Sequence, residues 1–253
     1  MRYAFKVAYD GARYFGFARQ PGLPTVEGEL LKALKECGLC HDPASARYRV
    51  AARTDRGVSA MGQVVALDVL KRPNISTINA HLPDDISILS TIEVQPSFDP
   101  WRMALRKHYR YRCIAPNGFD LKKAQSAAKL LLGAHDFWSF CKHEQGRPTL
   151  GKLEQVKISG KKILTFDFVA PAFLWQQVRR MVGALLTVGL GKLDLEDFKL
   201  MLEQPKNHLP RPADSRGLAL VKIKYRGISF KNQRVSKCDN LLNRIKAKKS
   251  TYY

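Results

Sequence analysis

The order in which strand-like and helix-like patterns succeed one another constrains this chain more than any single residue does. Tyr3, Phe5, Val7 and Tyr9 alternate, the period of a half-buried strand. Thr25 then stands before Val26, Leu30, Leu31, Leu34 and Cys37, an apolar stripe at helical spacing with a capping hydroxyl at its start. Residues 47–52 and 63–69 read as two strands, 75–81 as a short helix stopped before Pro83, and 86–94 as a strand. The order is β-α-β-β-α-β, that of a ferredoxin-like unit. The second half repeats the theme. A strand over 108–115 precedes a helix over 121–132 that Asp120 can cap. A hairpin follows, 153–159 and 162–169 across Gly160-Lys161, then a helix over 173–187, a short helix over 195–203 and a strand over 218–225. No sequence repeat is visible, so the duplication rests on element order. The expected division is 1–104, 105–225 and a basic tail, 226–253. The last core strand ends near Tyr225, so the tail is expected to be dispensable for folding.

Between the second and third strands lies Ala51-Ala52-Arg53-Thr54-Asp55-Arg56-Gly57-Val58. It sets one carboxylate, Asp55, between two guanidiniums, on a loop held by two strands, a common setting for working residues. The flanking cations favour the ionised carboxylate, which suits a nucleophile or a base. The plain alternative is a loop salt bridge. Arg179 stands out next. On a helical wheel its neighbours are Trp175, Val182 and Leu186, so it lies on an apolar stripe and needs a partner. The alternative is a side chain that reaches solvent along its own stem. Tyr109 and Tyr111 lie two apart on a strand and share a face. Two core tyrosines are the ordinary reading. Arg106, Lys107, Arg110 and Arg112 crowd the same strand, however, and aromatics beside cations suit a nucleobase and its phosphates.

Composition narrows the partner. The 253 residues carry a formal net charge of +21, which implies an anionic partner, most simply nucleic acid. No apolar run is long enough to span a bilayer. The N-terminus enters a strand at once, so no signal peptide is visible and a cytoplasmic location is expected. Five cysteines fit reduced thiols. Cys37-Gly38-Leu39-Cys40-His41 matches a haem-attachment pattern, yet Cys37 also continues a helical stripe and nothing else supports haem. Cys141 and His143 lack a second pair for zinc, and Gly191-Lys192 lacks the first glycine and the hydroxyl residue of a phosphate loop. No metal is expected. The tail is rich in Lys and Arg, with Asp239 its only acidic residue. It reads as a disordered arm or a basic helix, either of which binds phosphates.

Six segments together carry a resemblance to the TruA-type tRNA pseudouridine synthase family. They are Tyr9-Asp10-Gly11 through Gln20, the Asp55 loop, Asn79 through Ile86, Arg106-Lys107-His108-Tyr109-Arg110-Tyr111, Gly133 through Phe140, and Phe173 through Gly183. The resemblance implies an α+β fold of two ferredoxin-like halves sharing a mixed, mostly antiparallel sheet, with helices on one face and a basic central cleft. It implies isomerisation of uridine to pseudouridine in the anticodon stem-loop of tRNA, positions 38 to 40, after the base is flipped from its stem. Asp55 becomes the catalytic carboxylate, attacking C1′ or removing the 2′ proton. Tyr109 becomes the residue stacked on the uracil, Tyr111 packing, and Arg179 the partner of Asp55. Arg53 becomes the residue that helps extrude the base. Arg56 stands where the family more often has a small residue, which suggests an extra phosphate contact. Lys107 and Arg110 join the substrate contacts. Ser59 stands where bacterial members often have His. The resemblance implies a homodimer and no cofactor. The reading from another class is a non-catalytic RNA-binding or ribosome-assembly protein, which explains the charge but not an Asp set among arginines.

Overall fold

The computed structural model describes residues 1–204, 209–232 and 236–251. The strands are β1 (Arg2–Tyr9), β2 (Arg49–Val50), β3 (Ser59–Asp68), β4 (Ile86–Glu93), β5 (Arg106–Ile114), β6 (Gly133–Asp136), β7 (Leu150–Leu153), β8 (Gln155–Ser159), β9 (Ile163–Ala170) and β10 (Leu218–Lys224). The helices are α1 (Val26–Glu36), α2 (Ile75–His81), α3 (Leu121–Leu130), α4 (Gln177–Gly189), α5 (Leu195–Glu203) and α6 (Ser236–Ala247). This is a mixed α+β structure with mostly antiparallel strand pairs. Among the described residues, no helix is long and apolar enough to cross a membrane.

The chain forms two compact units. The first joins Met1–Leu105 to Ala219–Lys248. Its strands run in the order β4-β1-β3, with antiparallel pairing throughout. The far edge of β3 is shared: β2 pairs with it at Val65 and Ala66, and β10 runs parallel to it at Ser59 and Ala60. So β10, which chain order places in the second half, lies in the first unit. The predicted Thr25 cap is made, accepting from the Gly28 N–H at the start of α1; Asn74, which the sequence reading did not name, accepts from the Thr77 N–H and starts α2. The side chain of Asn79 meets both backbone groups of Ile88, satisfying part of the outer edge of β4.

One-sided helix cover was expected, and here it needs correction. Ala8 and Leu89 pack against Cys238, Leu241 and Ile245 of α6. The opposite face carries Tyr3, Phe5 and Val7, which are buried as well. Apolar residues on both faces of a sheet must both be covered, and they are. The 226–253 segment therefore contains a wall of the core. Lys237, at the start of α6, also donates to the carbonyls of Asn79 (2.8 Å) and Leu82 (2.7 Å), two of the last acceptors around α2.

The second unit joins Arg106–Leu218 to the segment that begins at Lys249. Its strands run β5-β9-β8, all antiparallel, with β6 and β7 forming a separate pair. Asp120 accepts from Lys122 and Lys123 and starts α3, as expected. Tyr109, Tyr111 and Cys113 lie opposite Phe168, Phe166 and Leu164 in register, so one face of β5 and β9 is aromatic and buried. The other face holds His108 and Arg110 against Asp167. The α4 helix begins at Gln177 rather than at 173, because Gln176 takes a left-handed conformation, φ 59°.

If α6 is a wall of the core, Leu241→Ala costs about 2–5 kcal/mol of stability, the range for a buried leucine. Urea unfolding followed by circular dichroism measures this. A change below about 0.5 kcal/mol, the size of a surface effect, would mean that α6 is a solvated face.

Candidate active site

Asp55 occupies a tight turn. The Val58 N–H donates to the Asp55 carbonyl (3.1 Å), and Gly57 supplies the positive φ of 82° that closes the turn without a Cβ penalty. Directly before it, Thr54 is buried, and its hydroxyl lies 2.8 Å from the Tyr9 hydroxyl. Tyr9 is fully buried at the end of β1. Burial pushes its phenol well above the ordinary value, although its bonds to Thr54 and Gln63 act the other way, so it stays protonated. Gln63 completes the layer. Its amide nitrogen donates to the Ala52 carbonyl (2.6 Å) and to the Tyr9 oxygen (3.4 Å), and its carbonyl accepts from the Ala52 and Val64 N–H groups. The segment leading into Asp55 thus rests on buried polar groups that are hydrogen-bonded to one another.

A second loop braces the turn from the side. Phe17 N–H donates to the Thr54 carbonyl (3.0 Å), and Phe17 lies against Tyr9 with ring centroids 5.8 Å apart. A Cβ on Gly11 would sit 2.0 Å from the Val58 carbonyl oxygen, so only glycine admits this approach. Tyr14 donates to Asp85 (2.5 Å), and the Asp10 N–H donates to the Asp85 carbonyl (2.9 Å). Three motifs far apart in sequence, around Asp10, Asp55 and Asp85, therefore form one patch of the first unit. Asp55 is half-buried, and Arg53 and Arg56 are exposed. The Arg56 guanidinium stacks over Phe15, 4.2 Å from the ring centroid.

In the second unit, Tyr109 is buried and meets Phe173 edge to face at 5.1 Å. Tyr111 is deeper, with its hydroxyl 2.6 Å from Ser250. Lys107 shares their face and is only 5% exposed. Burial pushes its ammonium down to about 8. Arg110 points to the opposite face, where it grips Asp167 at 2.8 and 3.2 Å beside His108 at 2.6 Å. Burial is the largest single influence on Asp167 and disfavours its charge, but the bonds from His108 and Arg110 outweigh it and hold the carboxyl below the usual range. Tyr109 and Arg110 are thus not brought together.

The helical wheel used for Arg179 needs correction. Trp175 precedes α4, so it shares no wheel with Arg179. Arg179 is half-buried and donates from Nε to the Ala213 carbonyl (2.8 Å), while the Ala213 N–H donates back to the Arg179 carbonyl (2.9 Å). Arg180 donates to the Pro210 carbonyl (2.9 Å). Asp214, which sequence reading missed, lies beside this strip. Its burial is the largest influence and works against ionisation, yet the bonds from Arg216 and the charge of Arg179 keep its carboxyl low. Among the described residues, no group of three His, Cys, Asp or Glu residues is placed to hold a metal.

Comparison with known proteins adds to this geometry. Residues 127–226 match the profile of the tRNA pseudouridine synthase family. A protein named tRNA pseudouridine synthase A from Pyrococcus abyssi is 44% identical over 235 residues, covering 91% of this chain and 87% of that one. The protein of the same name from Methanococcoides burtonii is 42% identical over 231 residues, covering 89% and 83%. A crystal structure of a pseudouridylate synthase aligns with 95% of this chain and 74% of its own at 11% identity, with a TM-score of only 0.37. The sequence relatives decide the class. The chain belongs to the TruA-type tRNA pseudouridine synthase family.

Lys107 gives a pH test of its setting. Its folded value of about 8 lies below its ordinary 10.5, so between these values the unfolded chain binds more protons. Stability therefore rises with pH across that window. In thermal melts from pH 7.5 to 10, Lys107→Met should remove this rise. An identical pH slope in both proteins would show that Lys107 keeps its charge on folding.

Proposed function

We propose that this chain isomerises uridine to pseudouridine in tRNA, at the anticodon stem-loop positions given above. The observation that carries the reading is Asp55: one carboxylate in a turn between two exposed arginines, over a buried polar layer, in a chain closely similar to proteins named for this reaction. The N1–C1′ bond breaks, the uracil turns while held, and a C5–C1′ bond forms. One proton leaves C5 and one is gained at N1. Atoms and oxidation state balance, so the reaction itself requires no redox cofactor.

In this reading Asp55 attacks C1′ or removes the 2′ proton. Tyr109 stacks on the uracil, and Arg179 pairs with Asp55. Arg53 helps extrude the base, because a paired uridine must leave its stem before its sugar can be reached. Arg56, Lys107 and Arg110 contribute positive charge toward phosphates, with Arg110 acting on the face of β5 away from Tyr109. Each unit is a ferredoxin-like half; the β4-β1-β3-β2 order of the first unit supports this. The enzyme works in the cytoplasm as a homodimer.

The direct test is carbodiimide-adduct primer extension on tRNA incubated with the protein. Stops in the anticodon stem-loop support the reading, and no stops anywhere overturn it. Asp55→Asn should lose more than about a hundredfold in rate, as removal of an essential group does. Filter binding should show affinity nearly unchanged, because phosphate contacts supply it. Tyr109→Phe should retain far more activity than Tyr109→Leu, since only the latter loses the stacking face. Wild-type activity in both would leave Tyr109 a plain core residue.

A further inference from the structure

The patch around Asp10 receives a cation that the reaction as described does not use. Lys248 follows α6, and its ammonium bonds Asp10 Oδ1 and also reaches Ser59 Oγ at 3.4 Å. Arg244, one turn earlier, faces the other Asp10 oxygen at 3.5 Å. Asp10 is 8% exposed, so its carboxylate depends on these two partners. The Asp10 side chain also accepts from the Ala12 N–H (3.0 Å), and Ser59 Oγ accepts from the Gly11 N–H (3.1 Å). These contacts fix Gly11, and Gly11 lies flat against the Val58 carbonyl, the residue whose N–H closes the Asp55 turn. The ladder is therefore Lys248, then Asp10 and Ser59, then Gly11, then Val58, then Asp55. Its first rung joins opposite parts of the chain: Lys248 and Asp10 are 238 residues apart in sequence.

We propose that Lys248 is a positioning residue for Asp55. Docking of α6 drives its ammonium between Asp10 and Ser59 and fixes the height of the catalytic turn. Lys248 touches neither substrate nor reacting atom. Its effect is transmitted through the Gly11–Val58 contact, and it rests on the reading of Asp55 as the catalytic group. Ser59 is what admits this arrangement, since its small hydroxyl accepts from both Gly11 and Lys248. Arg244 supplies a second charge to Asp10 and donates to the Asp84 carbonyl (3.3 Å), whereas Lys248 reaches Ser59, so the two cations differ in role.

The test uses the full-length chain with Lys248→Met, Lys248→Arg and Ser59→Ala. Single-turnover rate at saturating tRNA, tRNA affinity by filter binding, and melting temperature are measured for each. A misplaced reacting group slows chemistry by about tenfold to a hundredfold. Lys248→Met should show such a loss in rate, with affinity within about twofold because a single cation contributes little to the phosphate term. Lys248→Arg should recover most of the rate. Should Lys248→Met fail to fold, Ser59→Ala keeps the Lys248–Asp10 pair, removes the Ser59 bonds from both Gly11 and Lys248, and should still lose rate. A lower melting temperature with the full rate in Ser59→Ala and Lys248→Met would overturn the proposal, leaving Lys248 a stabilising contact. Asp55→Asn is run alongside. If it stays active, the reading of Asp55 fails; if it is dead while Lys248→Met is fully active, only the positioning role fails.

Discussion

A pair of buried hydroxyls, Tyr9 and Thr54, sets the position of everything at the Asp55 turn. Each buried polar group left without a partner costs about 1–3 kcal/mol, whereas a made bond contributes about 1 kcal/mol. The layer is therefore stable in one arrangement only. Tyr9 ends β1, Thr54 precedes Asp55, and Gln63 lies on β3, so the layer ties β1 and β3 to the segment that enters the turn. Here the backbone before it is anchored by Phe17 and by Gln63, and Arg56 is occupied by Phe15.

Much of this was legible in the sequence for simple reasons. Alternation revealed β1, strand-like runs located β3 and β4, and cap residues at Thr25 and Asp120 located two helix starts. Asp55 itself stood out because its neighbours are charged and its flanks are strands. The layer beneath was hidden, since a Tyr, a Thr and a Gln in strand contexts look like ordinary packing until their side chains are seen to meet. Asp214 was hidden for a related reason: it lies on an irregular strip whose approach to α4 no local period encodes.

Two errors have clear physical causes. The helical wheel around Arg179 was extended past the true start of α4, where Gln176 turns left-handed and breaks the period. The segment after Tyr225, read by its charge as a disordered arm or a basic helix, does hold a helix, but that helix is not dispensable cover. Cys238, Leu241 and Ile245 recur at helical spacing within it, and that weak stripe is what docks on Ala8 and Leu89. Lysines on the exposed face masked three buried residues. The net charge of +21 remains informative about the partner, but it says little about which cations face solvent. Lys237, Arg244 and Lys248 are all engaged with the first unit's own carbonyls and carboxylates.

The central claim is that a buried polar layer holds a reacting Asp55 in place. Its most direct measurement is the single-turnover rate of pseudouridine formation by Thr54→Val at saturating tRNA. Valine keeps the shape of threonine, removes the hydroxyl and costs Tyr9 its 2.8 Å bond to Thr54, leaving the longer one from Gln63. The account predicts a loss of about tenfold or more in rate, with tRNA affinity retained. A rate equal to wild type in a folded Thr54→Val protein would contradict it.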